Sequence, residues 1–392
     1  MKLRFSVGLF FATLLALGVA HASTDDPPQP LVVHEWGTFT SVAGADGRAV
    51  EWLPLAGPSD LPCFVHRMPF NPKSFLPATV RMETPVLYFY GPRQTSVDVR
   101  VVFPQGLITE WYPQARVMPA TIGDTALPRT KFDGRIDWRH VTVSPATVPD
   151  LRVEEGSSHY YAARHTDAAA TIVGSQQEKF LFYRGIGRFQ PPLLATINGD
   201  DVVTVRNEAA EPISDLVLFD SHEGRIAWQV RHNVSGTVSF NALVPADQSP
   251  INGDLEQMLV SAGLYPAEAA AMLETWGDSW FEQGTRLFYI VPRTSVDSIL
   301  PLTISPAPSS TSRVFVGRVE LITDATRQTV HDALAARDRA TLLKYGRFLD
   351  AIGKRVIADA SPLEKRAFEE FLGMTYGPLS YPQPTCGHQT TH

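Results

Sequence analysis

The chain has 392 residues, 44% of them hydrophobic, two cysteines and a formal net charge of −7. That mild acidity, with no dense Lys/Arg block, excludes a nucleic-acid partner, which needs clustered basic side chains to meet phosphates. Two cysteines without a C-x-x-C pattern exclude a zinc cage built from cysteine alone.

The chain opens with a basic n-region (Lys2, Arg4), an apolar run from Phe5 to Ala20, and the small-x-small site Ala20-His21-Ala22. This is a signal-peptide pattern over residues 1–22, and the expected location is periplasmic or extracellular. The apolar run is short for a membrane span, which takes roughly 20 residues, and no later stretch reads as one. Cleavage would remove Lys2 and Arg4 and no acidic residue, shifting the net charge from −7 to −9. The mature remainder exceeds the roughly 250–300 residues that one core supports. Two sections are therefore expected, 23–249 and 250–392.

Up to about residue 248 the pattern is β. In "VVHEWGTFTSV" the residues Val32, His34, Trp36, Thr38 and Thr40 share one strand face, and Val33, Glu35, Gly37 and Phe39 the other. His34-Glu35 begins like the zinc-protease motif H-E-x-x-H, but Thr38 stands where the second histidine belongs, and the residues favour a strand over a helix. Asp46-Gly47 signals a hairpin turn returning through "RAVEWLPL". Pro58–Pro77 reads as a long loop. Strands follow in "TPVLYFYG", "SVDVRVVFP", "LITEWYP", "IDWRHVTVSP", "EKFLFYRGIGRF" and on to "GTVSFNAL". The character changes near 250. "GDLEQMLVSAGL" ends at Gly263, and Pro266 suits the first turn of "PAEAAAMLETW". Strands return in "TRLFYIVPR", "ILPLTISP" and "SRVFVGRVELIT", which should rejoin the sheet. Helical spacing then runs to Gly373, expected to stop the last helix, with a capping box at Ser361-Pro362-Leu363-Glu364. The expected fold is mainly β with a helical C-terminal section (α+β): an antiparallel sandwich-like core, with helices at about 254–283 and 324–373.

The phrases "HEWGTFTSV", "METPVLYFY", "ITEWYP", "SWFEQGTRLFYIVPR" and "GRVELIT" together resemble an uncharacterised family of exported bacterial proteins. The resemblance spans most of the mature chain and implies export, but it brings no activity and no functional residue.

Candidate chemistry is dispersed. Gly277-Asp278-Ser279 matches the Gly-Asp-Ser esterase block only in part, since Trp280 follows and the block lies late in the chain; a helix end is expected there instead. Gly185-x-Gly187 lacks the third glycine of a dinucleotide loop and reads as a bulge. Glu35, Glu51, Glu110, Asp278 and Glu282 neighbour tryptophans, as a glycosidase's carboxylates and sugar platforms could; the simpler reading puts each tryptophan in the core and its acidic neighbour in solvent. His34, His66 and His159, with Glu110 and Arg164, are the candidate ligand or metal site, His34 meeting His66 or His159 across neighbouring strands. Such a mixed site would suit a divalent transition metal, the one cofactor the residues suggest. Cys63 and Cys386 are a candidate disulfide, since export permits one. The function expected is binding or scaffolding, with a saccharide or other small molecule as ligand. The alternative is a carboxylate- or metal-assisted extracytoplasmic hydrolase acting on a polysaccharide. Amino-terminal sequencing of the exported protein should start at Ser23; a chain that keeps Met1 contradicts export.

Overall fold

In a computed structural model of the chain, residues 31–53, 61–69, 76–121, 132–154, 158–198, 202–222, 224–241 and 251–376 are described. Residues 1–22, where a signal peptide is expected, and Cys386 lie outside them; Cys63 is disulfide-bonded. The first strands are β1 (Val32–Val42), β2 (His66–Arg67), β3 (Val80–Tyr90), β4 (Thr95–Phe103), β5 (Gly106–Tyr112), β6 (Arg116–Met118) and β7 (Gly134–Ser144). After a 3-10 helix at His159–Arg164 come β8 (Ala170–Val173), β9 (Gln176–Glu178), β10 (Leu181–Gly187), β11 (Leu193–Ile197) and β12 (Val203–Asn207). The chain continues with β13 (Ile213–His222), β14 (Arg225–Val234), β15 (Thr237–Phe240), α1 (Ile251–Ser261), α2 (Pro266–Trp280) and β16 (Gly284–Ile290). It closes with α3 (Arg293–Ile299), β17 (Leu302–Ser305), β18 (Ser310–Leu321), α4 (Asp324–Ala335), α5 (Arg339–Leu343), a 3-10 turn at Gly346–Phe348, α6 (Leu349–Asp359) and α7 (Pro362–Tyr376).

The architecture is mainly β with helices concentrated towards the C-terminus, as the residue pattern predicts. A nine-stranded sheet runs β14-β13-β16-β18-β1-β3-β10-β5-β2. Strands from both sides of residue 250 share it, and β1 pairs in parallel with β18, while the other pairings are antiparallel. One face packs against a six-stranded sheet (β17-β4-β7-β8-β9, with β6 on β7) and a three-stranded sheet (β11-β12-β15). That interior gathers Val33, Phe39, Leu87, Val99, Trp138 and Val205. The other face carries two separate helical groups. The pair α1 and α2 covers Trp36, Tyr88, Phe182 and Phe288. Helices α4, α6 and α7 cover Val42 and Trp52.

Local differences from the residue pattern have local causes. The Asp46-Gly47 turn forms, with Gly47 at φ +80°, but its return arm makes only a bridge, Ala43 to Ala49. Trp52 is drawn instead to Ala78 and the C-terminal helices. Gly373 lies inside α7, which ends at Tyr376. Gly185 marks a bulge, as expected. Not every tryptophan has a solvated acidic neighbour: Glu51 is exposed, but Glu35 and Glu110 are buried.

Strand alternation does send His34 and Glu35 to opposite faces. Glu35 enters the sheet-on-sheet interior, opposite Arg313 in the parallel pair. Arg313 Nε and the Tyr183 hydroxyl both donate to its carboxylate, and Arg313 Nη1 donates to Asp297 of α3 at 2.7 Å. The Glu35 and Arg313 side chains are 0% and 1% exposed, so neither charge has water as an alternative partner. Glu35→Ala should cost about 3–5 kcal/mol in urea unfolding, because it strands a buried guanidinium. A loss below about 1 kcal/mol, the range of a surface pair, would contradict that role.

Candidate functional site

The residues singled out from the sequence do not gather. His34 Nδ1 lies 2.8 Å from Glu268 of α2, whose other oxygen accepts from the Tyr90 hydroxyl at 2.8 Å. Glu268 also accepts the Tyr265 N–H at 2.7 Å, so His34 fastens the first turn of α2 to β1. His66 sits at the sheet edge against the Gln176 amide, and burial pushes its imidazole below the ordinary histidine range. His159 pairs with Asp278 at 2.7 Å, and Arg164 with the buried Glu178 at 2.7 Å. The expectation that His34 meets His66 or His159 is therefore corrected. His34 and His159 pair with separate carboxylates near opposite ends of α2, Glu268 and Asp278, and His66 with Gln176 of β9, because the fold rather than residue type sets which side chains meet. Among the described residues no group of three or more His, Cys, Asp or Glu is placed to hold a metal ion. Ser279 is buried in the last turn of α2 and donates within the helix to Trp276 O, as the helix-end reading expects.

Glu110 alone of these residues belongs to a larger constellation. On the helix-bearing face, a belt of charge crosses the sheet between the two helical groups. Register places Arg286 opposite Glu320, Arg318 opposite Thr40, Thr40 opposite Arg81, Thr38 opposite Glu83, and Arg184 opposite Glu110. Glu282 and Arg347 close it from the flanking segments: Arg318 Nη2 donates to Glu282 at 2.9 Å, and Arg347 Nη1 to Glu83. Glu83 also accepts from Thr40 Oγ1 at 2.7 Å, and Arg286 Nε from β16 bonds Glu320 at 3.0 Å. Aromatic rings wall the belt on both sides. The Arg184 guanidinium lies 6.0 Å from the Trp276 ring of α2, while Arg318 lies 4.7 Å over Phe348 and Arg81 5.7 Å over Trp52. Trp280 packs 5.1 Å from Phe288, the register partner of Arg318. The belt is thus a seam between α2 and the C-terminal helices, floored by β strands.

The backbone is irregular at this level. The β1–β3 register shifts between Trp36 and Thr38, and the β10 register shifts against both β3 and β5 next to Arg184. Thr84, in the extra stretch of β3, has φ +49°, a left-handed conformation uncommon for a β-branched residue. Bulges and such strained residues concentrate where a sheet must aim side chains at a site. Electrostatics agree. Burial, then the neighbouring Arg286 and Arg347, push Arg318 down to about 10 despite Glu282 and Glu320. Burial would raise Glu83, but Arg347, the Thr40 hydrogen bond, Arg184 and Arg318 outweigh it and hold the carboxyl below its usual range.

Several donors in the seam have no hydrogen-bond partner among the described residues: Nε and Nη1 of Arg318, and the indole N–H groups of Trp276 and Trp280. The Thr38 hydroxyl, on the belt's central strand, likewise has no partner. Arg318, Trp280 and Thr38 are fully buried and Trp276 is 1% exposed. Sequence reasoning passed over these residues, although a signal was present. Arg81, Arg184, Arg286 and Arg318 each stand among apolar neighbours, in "VRM", "FYRGI", "TRLFYI" and "GRVEL".

Beside the seam, Asp220 accepts from Thr285 and pairs with His222 Nδ1 at 3.0 Å, while His222 Nε2 faces Thr326 of α4 at 3.4 Å. The Asp220 hydrogen bond raises His222 above 6.5 against the opposing effect of burial. Burial would raise Asp220, but hydrogen bonds from His222 and Thr285 bring it below 3.8. The histidine's contribution is therefore fully present below about pH 6.5 and lost as pH rises through its raised folded value. The aspartate's contribution is present above about 3.8 and lost as pH falls through its lowered value. The stability difference between wild type and His222→Gln should accordingly be larger at about pH 6 than at about pH 9 in urea unfolding. An equal difference at both would show that the pair carries no charge-linked stability.

No helix among the described residues is long and apolar enough to cross a membrane. No protein-family profile and no curated protein matches the sequence. Among solved structures the chain is similar to the yeast delta-COP-I mu-homology domain, at TM-score 0.29 and 8% identity, covering 76% of this chain and 100% of that one. The same domain complexed with a Dsl1 WxWxV peptide gives TM-score 0.25 and 7% identity, covering 76% and 98%.

Proposed function

We propose that this chain is an exported β-rich binding protein that holds a small polar ligand in the seam between α2 and the C-terminal helices. Export rests on the signal-peptide pattern of residues 1–22. Binding rests on one observation, the fully buried Arg318 with two of its three guanidinium nitrogens not hydrogen-bonded. An unsatisfied buried donor costs about 1–3 kcal/mol, and more when charged, so folded proteins keep few of them. Other buried donors among the described residues also have no hydrogen-bond partner, Arg313 Nη2 and the Trp111 indole among them, but those of Arg318, Trp276, Trp280 and Thr38 fall together in this seam, beside the bulges of β1, β3 and β10. A scaffold has no use for that arrangement, whereas a ligand site needs donors placed in advance.

The hydrolase alternative is less well served. A carboxylate-assisted hydrolase needs one carboxyl free to give a proton and another free to attack or activate water. In the seam Glu83 is bound by Arg347, Glu282 by Arg318 and Glu320 by Arg286.

The test is crystallography of the mature protein purified from its exported form, at a resolution that shows ordered small molecules. Non-protein density hydrogen-bonded to Arg318 and to Trp276 or Trp280 is expected. Finding those donors bonded to the protein's own groups would overturn the binding reading.

A further inference from the structure

We infer that a second site, separate from the seam, binds a medium-chain alkyl carboxylate in a cavity between the first hairpin, β11 and α6. The cavity shares no lining residue with the seam, and neither reading depends on the other.

Room for the ligand comes from how the hairpin and α6 face each other. Beyond the Ala43–Ala49 bridge the hairpin tip is fastened on the β11 side. The Ala195 N–H donates to Gly47 O at 3.2 Å, and the Gln190 amide bonds Ala49 N–H at 2.9 Å and Ala49 O at 3.1 Å. Across from it, α6 presents Ala351, Lys354, Arg355 and Ala358, whose three- and four-residue spacing puts them on one stripe. Leu349, Ile352 and Val356 pack into the helical core instead. The alanines at 351 and 358 end at Cβ, so this stripe does not fill the space before it. The cavity measures about 390 Å³, within the roughly 300–1,000 Å³ of small-molecule sites. Its apolar walls, Ala43, Val50, Ala195, Ile197, Leu321 and Ile322, are aliphatic, and no aromatic ring lines it among the described residues. Such walls suit an alkyl chain better than a ring, which gains most from stacking on another ring.

The ligand's charge comes from Arg355. The other charged residues of the lining already have partners. Glu51 pairs with Arg188 at 3.2 Å, Lys354 with Asp350 at 2.7 Å, and Arg327 with both Asp324 and Asp359 at 3.3 Å. The partly buried Arg355 side chain forms no ion pair or hydrogen bond among the described residues. A carboxylate meets a guanidinium fork with two charge-assisted bonds, while the methylenes behind it displace water from the aliphatic walls. A cationic amphiphile would meet Arg355 and find Glu51 and Asp324 already paired. A dianion would put its second charge near those same two carboxylates, at like-charge cost.

Isothermal titration of the purified protein at neutral pH, with hexanoate, octanoate, decanoate, 1-octanol and octylamine below their micelle concentrations, decides the matter. From hexanoate to decanoate each added methylene should tighten binding about fourfold, the yield of one buried CH2. Octanoate should bind at least about tenfold more tightly than 1-octanol or octylamine, the scale of a charge-assisted hydrogen bond. Arg355→Gln should bring octanoate down to the level of 1-octanol. Ala358→Leu, at an exposed position, should weaken decanoate at least about tenfold with the melting temperature unchanged. Octanol or octylamine binding as tightly as octanoate, affinity that does not grow with chain length, or no binding by any carboxylate would each overturn the inference. So would an Arg355→Gln protein that keeps the preference for octanoate. None of these results touches the donors of the seam, which crystallography tests separately.

Discussion

Burial of β1 between β18 and β3 is the constraint on which the other elements depend. A strand in the middle of a nine-stranded sheet must satisfy both ladders and both faces. β1 does so with a parallel neighbour from the far end of the chain, which brings residues 278 positions apart into the Glu35–Arg313 pair. Desolvating two charges is costly, and the cost is offset only if every partner is in place. Tyr183 and Asp297 supply most of that set from β10 and α3, leaving Arg313 Nη2 without a bond among the described residues. The pair therefore ties register, closure of the sheet and docking of α3 to one arrangement, since a one-residue slip of β1 would send Glu35 to the helix face.

The two faces of the same sheet then do different work. The face holding Glu35 is filled by the six- and three-stranded sheets and is mostly apolar. The opposite face is divided. His34, Tyr90 and Tyr265 converge on Glu268 and anchor α2 at one end, and Val42 and Trp52 receive the C-terminal helices at the other. Between the two groups, over the middle of the sheet, bulges in β1, β3 and β10 accompany a buried belt of arginines and glutamates. Several buried guanidiniums oppose stability unless matched, so their persistence beside donors with no partner is easier to explain by ligand binding than by folding.

Much of the architecture was legible in the residues. Period-two alternation, turn signals and helix caps predict the β-rich body, the ends of α1 and α2, the capping box of α7 and the opposed directions of His34 and Glu35. These are local properties: alternation is a consequence of strand geometry, and a cap depends on residues within one turn. Gly373 shows the limit of the same reasoning, because a glycine stops a helix only where packing does not carry the helix onward.

The candidate site was legible only in part. Glu110 was singled out and lies in the belt, but His34, His66, His159 and Arg164 were grouped by residue type and each took a partner of its own, on α2 or β9, rather than one another. Arg81, Arg184, Arg286 and Arg318 were visible as charges inside apolar strands, yet nothing local shows whether such an arginine reaches solvent or a buried carboxylate. By itself the sequence determined most of the strands and helices and the opposed faces of β1, though not α3, the end of α7 or the full return arm of the first hairpin. The tertiary structure alone decided which strands became neighbours, and hence which charges meet, because electrostatic energy depends on distance in space and on burial, and neither is a property of a short stretch of chain.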